Sequence, residues 1–304
     1  MNKDLISMDD LAIEEIKEFI ALAKIVEDMP AEQRVNYLHG KIMAAMFFEP
    51  STRTRLSFEA AMYRLGGNVI GFAEQAATSV SKGESFSDTI HTVENYSDIL
   101  VIRHPSEGTA RLAGEISFLP VINAGDGSNQ HPTQTLLDLF TIEKYFSKIT
   151  GLKIAFVGDL KYSRTVHSLL MALMKFGVTD FTFVAPESLA LPDYFKPDDD
   201  RYTFYETDSL EHVIPDCDIL YMTRIQRERF PDILEYEKVK DSYVIDAKML
   251  ARAQSHLKVL HPLPRVNEIA YDVDNTSHAG YFPQAKNGLI MRQAILLKLL
   301  GVQL

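Results

Sequence analysis

The chain has 304 residues, with 31 Lys and Arg against 42 Asp and Glu, and so a formal net charge of −11. Its 46% hydrophobic and 24% charged content is that of a folded globular protein, and at ~150 residues per domain its length predicts about two domains. The acidic balance argues against nucleic acid and anionic membranes as partners, and the lone Cys217 excludes an internal disulfide and a multi-cysteine zinc site. No apolar run approaches the ~18–20 residues of a membrane span, and Met1-Asn2-Lys3-Asp4 is not the start of a signal peptide. A reduced, soluble, cytoplasmic protein is expected.

Residues 42–48 are a short continuous apolar run, which predicts a strand buried on both faces. The spacing of Leu56, Phe58, Ala61, Met62 and Leu65 predicts a helix stopped at Gly66-Gly67. Residues 98–103 and 120–124 read as further buried strands, with a helix near 107–116 between them. Residues 132–146 form a long amphipathic segment, expected to join the two domains. The second half repeats the rhythm: strand 153–158, helix 165–176, strand 181–185, then strands at 218–223, 243–246 and 258–260. The last helix, 285–300, is strongly apolar and needs a groove to cover it. Residues 196–201 and 227–232 have the composition of exposed loops. Such alternation predicts two parallel-sheet α/β domains, whose loops at the C-terminal strand ends bind ligands.

The strongest chemical signal is Glu49-Pro-Ser-Thr-Arg-Thr-Arg55, where a buried strand stops and a helix begins with Ser51 as N-cap. Unpaired N–H groups, the helix dipole and the forked donors of Arg favour an anion there. A capped helix with surface ion pairs is the plain alternative, but Arg directly after a cap opposes the dipole unless an anion is present. The run is neither a Walker A loop nor a GxGxxG fingerprint. His131 and Gln134 lie three apart and share one side of a helical first turn. Taken alone, His131 is more readily a capping or packing residue. Arg103 ends an apolar strand, where most Arg side chains are simply solvated.

In the second half, Arg164 precedes a helix and Arg224 follows a strand. If the run after Arg224 is helical, Glu228 lies four residues on and holds its guanidinium. His261-Pro-Leu-Pro264 cannot be regular structure, presents carbonyl oxygens and is a place for a cis peptide. A plain turn has the same composition. There is no HExxH, HxH or GxSxG pattern, so neither a metal site nor a covalent nucleophile is expected.

Ser51-Thr-Arg-Thr-Arg55, His131-Pro-Thr-Gln134 and His261-Pro-Leu-Pro264, in that order and spacing, resemble the aspartate/ornithine carbamoyltransferase family over residues 5–300. Within it, Pro262 replaces the Cys typical of the ornithine enzymes, and Arg224-Ile-Gln-Arg-Glu-Arg229 stands where they carry an SMG motif. Gly158-Asp-Leu-Lys-Tyr-Ser-Arg-Thr-Val-His167 is also similar to the aspartate branch, and Arg164 and Arg224 suit a dicarboxylate. The resemblance implies carbamoyl transfer from carbamoyl phosphate to L-aspartate, early in pyrimidine synthesis, with no cofactor or metal. A carbamoyltransferase for another amino acid and a noncatalytic anion-binding scaffold are the alternatives.

The resemblance also implies roles for residues. Ser51, Thr52, Arg53 and Thr54 hold the phosphate. Thr54, Arg103 and His131 surround the carbonyl oxygen. Gln134 and the carbonyls of Leu263 and Pro264 bind the carbamoyl NH2. Arg164, Arg224 and Gln226 hold the aspartate carboxylates. Ser79 and Lys82 come from a neighbouring subunit, which implies a homotrimer with shared sites and leaves open whether separate regulatory chains bind. Glu49, Glu228 and Arg229 are candidates for domain closure, with Glu49 expected to pair with Arg164 or Arg229. The expected layout is a carbamoyl-phosphate domain of residues 1–131 and 285–304, a linking helix 132–150 and an aspartate domain 151–284. The active site is expected in the cleft between them, with the C-terminal helix returning to the first domain.

Overall fold

The computed structural model describes residues 3–74, 83–225, 227, 230 and 232–304. The chain divides into two compact units, Met1–Phe140 with Lys286–Leu304, and Thr141–Ala285. The first holds α1 (Ile13–Asp28), α2 (Ala31–Arg34), β1 (Ile42–Phe47), α3 (Thr52–Arg64), β2 (Asn68–Phe72), α4 (Phe86–Val93), β3 (Ile99–His104), α5 (Thr109–Ile116) and β4 (Val121–Asp126). The division falls inside α6 (Pro132–Phe146). The second unit holds β5 (Ile154–Val157), α7 (Arg164–Lys175), β6 (Asp180–Val184), β7 (Thr203–Thr207), α8 (Leu210–Val213), β8 (Ile219–Met222), α9 (Ile233–Val239), α10 (Ala247–Leu250) and β9 (Lys258–Leu260). Most of the final helix, α11 (Tyr281–Leu299), belongs to the first unit.

Each unit is built on one parallel sheet, of order β2-β1-β3-β4 in the first and β7-β6-β5-β8-β9 in the second. The central strands are buried on both faces, which is why they read as unbroken apolar runs. Along β1 and β3, Ala44, Met46, Leu100 and Ile102 pack with Ile90 of α4 and with Ala110 and Ala113 of α5. Met43, Ala45, Phe47, Ile99 and Val101 point to the other face and are equally buried. In the second unit, Ala155, Val157, Leu220 and Met222 join Leu210, Val213, Leu250 and Val273 in one core cluster.

The strand orders decide where ligands can bind. In the first sheet β1 is followed by β2 on one side and then by β3 on the other, so the chain reverses between β1 and β3. In the second, β5 leads outward to β6 and β7, and the chain then returns to β8 on the opposite flank. At such a reversal the loops leaving neighbouring strands diverge and open a crevice beyond their C-terminal ends. The crevice residues are those after Phe47 and Arg103, which are paired in register, and those after Val157 and Met222, also paired.

One expected strand is absent. Residues 243–246 make only a single bridge, Ile245 to Ile269, and Asp246 turns instead to cap α10, accepting from Met249 N–H at 2.7 Å. Among the described residues no helix is long and apolar enough to cross a membrane.

Candidate active site

At the first reversal, β1 ends at Phe47 and Ser51 takes the N-cap position of α3, with φ −155° and ψ 98°. The cap is unusual in one respect: the Ser51 hydroxyl accepts no hydrogen bond from the helix, and the first turn carries no acidic residue. Helix N-termini ordinarily satisfy their free N–H groups with such a side chain or soften the dipole with a carboxylate. Here Thr52 and Arg53 are exposed and Thr54 is buried beneath them. That is the arrangement of a helix end kept open for an external anion. Arg55, by contrast, is engaged with Glu59 one turn along, at 2.6 Å.

Arg103 reaches the same crevice from the end of β3. Its guanidinium donates to Glu49 Oε1 at 2.7 Å and lies 3.4 Å from the Ala124 carbonyl. Glu49, expected to pair with Arg164 or Arg229, is therefore engaged inside the first unit. The third element is the turn after β4. Buried Asp126 accepts from the N–H groups of Gly108 and Gln130 and the side chains of Asn123 and Asn129, at 2.9–3.1 Å. This fixes the approach to His131, which is buried with Nδ1 3.4 Å from Thr133 Oγ1. One turn into α6, Gln134 donates from Nε2 to Asp138 Oδ1 at 2.8 Å.

The second reversal holds the other set. Ser163 is the N-cap of α7 and Arg164 its first residue, again with no acid in the first turn. Opposite, Thr223 clasps the end of β5: its hydroxyl donates to Val157 O at 3.0 Å and accepts from Asp159 N–H at 3.0 Å. Gly158 makes this possible with φ +113°, and a Cβ there would lie 2.4 Å from the Thr223 carbonyl oxygen. The clasp holds Arg224 at the strand end. Residues 223–225 leave β8 as irregular chain and not as the start of a helix. Arg224 lines a small pocket with Tyr236, Lys240, Tyr243, Asn267 and Glu268. Nearby on α7, burial drives the His167 imidazole down to about 4, so the ring is neutral as it stacks on Phe195 at 4.0 Å.

The loop after β9 is held from within. His261 is buried; its Nδ1 accepts from Leu263 N–H at 2.7 Å, so Nε2 bears the proton it shares with Glu268 Oε1, also at 2.7 Å. Glu268 additionally accepts from the N–H groups of Val266 and Asn267 at 3.1 and 3.0 Å. Burial pushes its carboxyl upward, but the His261 contact and the N–H groups of Val266 and of Glu268 itself outweigh it and hold it below the ordinary range. Leu263 takes a left-handed φ of 56° and Leu263-Pro264 is cis, the isomer that the double-proline segment allowed for.

The structure thus groups Ser51, Thr52, Arg53, Thr54, Arg103, His131 and Gln134 on the first unit, and Arg164, Arg224, Leu263 and Pro264 on the second. Ser79, Lys82, Gln226, Glu228 and Arg229 lie outside the described residues. Sequence reasoning did not find Asp138, Lys240 or Glu268. Asp138 had a local signal, its i,i+4 spacing from Gln134; Lys240 and Glu268 had none. Among the described residues no cluster of His, Cys, Asp or Glu could hold a metal ion.

Residues 3–144 match the family described as aspartate/ornithine carbamoyltransferase, carbamoyl-P binding domain, and residues 150–299 match its Asp/Orn binding domain. The chain belongs to the aspartate/ornithine carbamoyltransferase family. It is 55% identical over 303 residues to the aspartate carbamoyltransferase catalytic subunit of Thermococcus kodakarensis, covering 99% of this chain and 97% of that one. Among solved members of the family, the catalytic subunit of M. jannaschii aspartate transcarbamoylase superposes with a TM-score of 0.90 at 53% identity, over 98% of both chains. The Trypanosoma cruzi aspartate transcarbamoylase bound to N-(phosphonacetyl)-L-aspartic acid gives 0.91 at 39% identity, over 100% of this chain and 96% of that one. That protein has also been solved with carbamoyl phosphate and aspartate, and with carbamoyl aspartate and phosphate.

Proposed function

We propose that this chain transfers the carbamoyl group of carbamoyl phosphate to the amine of L-aspartate, giving N-carbamoyl-L-aspartate and phosphate, an early step of pyrimidine synthesis. The observation that carries it is the pair of anion-receptive crevices, one at each sheet reversal: an uncapped helix end with hydroxyls and Arg residues, and an Arg-lined pocket. The ligands of the T. cruzi relative are the chemistry those crevices suit.

Ser51, Thr52, Arg53 and Thr54 take the phosphate on the open N–H groups of α3. Thr54, Arg103 and His131 face the carbonyl oxygen, which gains negative charge as the amine attacks. Donors already in place where charge develops are worth several kcal/mol. Gln134 and the Leu263 and Pro264 carbonyls accept from the carbamoyl NH2, while Arg164, Arg224 and Gln226 hold the two aspartate carboxylates. Alignment converts a bimolecular attack into a local one. The tetrahedral anion then collapses, breaking the bond to the phosphate oxygen; the leaving phosphate accepts the amine proton, so no dedicated protein base is required. Glu49, Glu228 and Arg229 are assigned to domain closure, in which Glu49 exchanges Arg103 for Arg164 or Arg229.

Assay with aspartate, ornithine and related amines tests the activity. Carbamoyl aspartate is the expected product, and none at saturating substrates overturns the assignment.

Lys82 and Ser79 are assigned to the site of a neighbouring chain, which makes the cytoplasmic enzyme a homotrimer, open to separate regulatory chains. If sites are shared, reassembling equal amounts of an Arg53→Ala chain and a Lys82→Ala chain restores activity, since random trimers carry intact sites at about one junction in four. Mixtures as inactive as their components rule the shared site out.

A further inference from the structure

We propose that Asp138 is a positioning residue that fixes which end of the Gln134 amide meets the substrate, an inference that rests on the carbamoyl-transfer function above. Gln134 and Asp138 sit one turn apart on α6, and their hydrogen bond runs from Nε2 to Oδ1 at 2.8 Å. The direction of that bond follows from chemistry alone. A carboxylate only accepts, so the nitrogen end of the amide must face it and the oxygen end must face away. Oε1 accepts nothing among the described residues. Gln134 is therefore held with its carbonyl oxygen, an acceptor, turned away from Asp138, the polarity an incoming NH2 group requires and the opposite of what a phosphate or carbonyl oxygen needs.

Asp138 is itself fully buried, which a carboxylate tolerates only with a compensating charge. Arg292 of α11 supplies it. This guanidinium is buried against the ring of Phe58, 5.1 Å from its centroid, and donates to Ser57 Oγ at 3.1 Å. Burial lowers Arg292 to about 10 against the opposing pull of Asp138, which leaves it cationic at neutral pH. Ser57 and Phe58 lie on α3, whose first turn carries the phosphate residues. The acceptor for the NH2 thus sits on a buried carboxylate whose charge is felt by Arg292, and Arg292 is hydrogen-bonded to the helix that holds the phosphate. Replacing Asp138 by Asn keeps the size but lets the amide at 134 turn over, since either end of a second amide can serve it.

Kinetics of the full-length enzyme test this. Asp138→Asn is expected to cost about tenfold in kcat/KM for carbamoyl phosphate, the loss of one oriented hydrogen bond, while inhibition by inorganic phosphate, which has no NH2, stays within about twofold. In a Gln134→Ala background the same change is expected to cost nothing further. Parallel weakening of inorganic phosphate, or a full second loss in the Gln134→Ala background, overturns the proposal and makes Asp138 a structural residue only. If Asp138→Asn does not fold, the exchanged pair Gln134→Glu/Asp138→Asn carries the test, because the reversed bond, with the donor now at 138, occupies one carboxylate oxygen of residue 134 and leaves the other as an acceptor toward the substrate. Activity at least about tenfold above Gln134→Glu alone supports the proposal, and an exchanged pair no better than Gln134→Glu overturns it. A wild-type chain without carbamoyl aspartate production defeats the functional assignment instead, so the two failures are separable.

Discussion

Arg103→Ala is expected to lower kcat by a factor of about 10²–10³, the usual cost of removing one preorganised donor from a developing oxyanion. The side chain is well placed for so large an effect. It leaves β3 opposite the last residue of β1, and its guanidinium is fixed on two sides, by Glu49 at 2.7 Å and by the Ala124 carbonyl at 3.4 Å. A group already held where charge appears costs no reorganisation in the transition state. Arg103→Lys separates the two contributions. A single ammonium has no fork, so it can answer Glu49 or the substrate oxygen but not both with good geometry. Its kcat is expected to fall at least about tenfold below wild type. The far-ultraviolet circular dichroism of both variants should match wild type, because Arg103 and Glu49 are partly solvated and their ion pair is worth about 1 kcal/mol or less to the fold. An Arg103→Ala enzyme retaining more than a tenth of wild-type kcat shows that the oxyanion is stabilised elsewhere.

The sequence was most readable where burial is complete. Residues of β1, β3, β4, β5 and β8 lie in runs buried on both faces, and such runs have no polar interruption to confuse with turn or helix. The edge strands β2 and β7 escaped notice for the converse reason. Their burial alternates or lapses, as in Thr203-Phe-Tyr-Glu-Thr207, and polar residues at an edge look like loop. At 243–246 apolar content misled, because Tyr243 and Ile245 are core residues of an irregular segment that ends in a helix cap. The site divides the same way. Ser51–Thr54, His131–Gln134 and 261–264 are local in the chain, so each carries its own motif. The groups that hold them are not. Glu268 reaches back to His261 across a loop, and Arg292, whose charge opposes that of Asp138, comes from the far end of the sequence to donate to Ser57. Only the folded chain brings these together.

Arg224→Ala should separate the two substrates. Aspartate KM is expected to rise about a hundredfold or more, since charge-assisted hydrogen bonds contribute about 1.5–3 kcal/mol each and a forked pair to one carboxylate makes two. The pocket sharpens this. Glu268 lines the same wall and is held ionised by His261 and two N–H groups, so without Arg224 an entering carboxylate meets a like charge. Lys240 lines it as well but is engaged with Glu237 at 2.6 Å, and an ammonium offers no planar fork to replace the guanidinium. The Thr223 clasp and Gly158 hold the backbone independently of the Arg224 side chain, so truncation empties the position without unseating the strand end. Carbamoyl phosphate, received on the first unit, should bind within about twofold of wild type by equilibrium titration, as expected for a site that shares no contact with the altered residue. The same substitution removes the positive charge that opposes a cationic amine, so any carbamoylation of ornithine should rise relative to aspartate. An Arg224→Ala enzyme whose aspartate KM moves less than about fivefold shows that the dicarboxylate is held elsewhere. Under the proposed function, a net charge of −11 is compatible with a dianionic substrate because local cations, Arg164 at the start of α7 and Arg224 after β8, are assigned to meet it, and this substitution removes one of them.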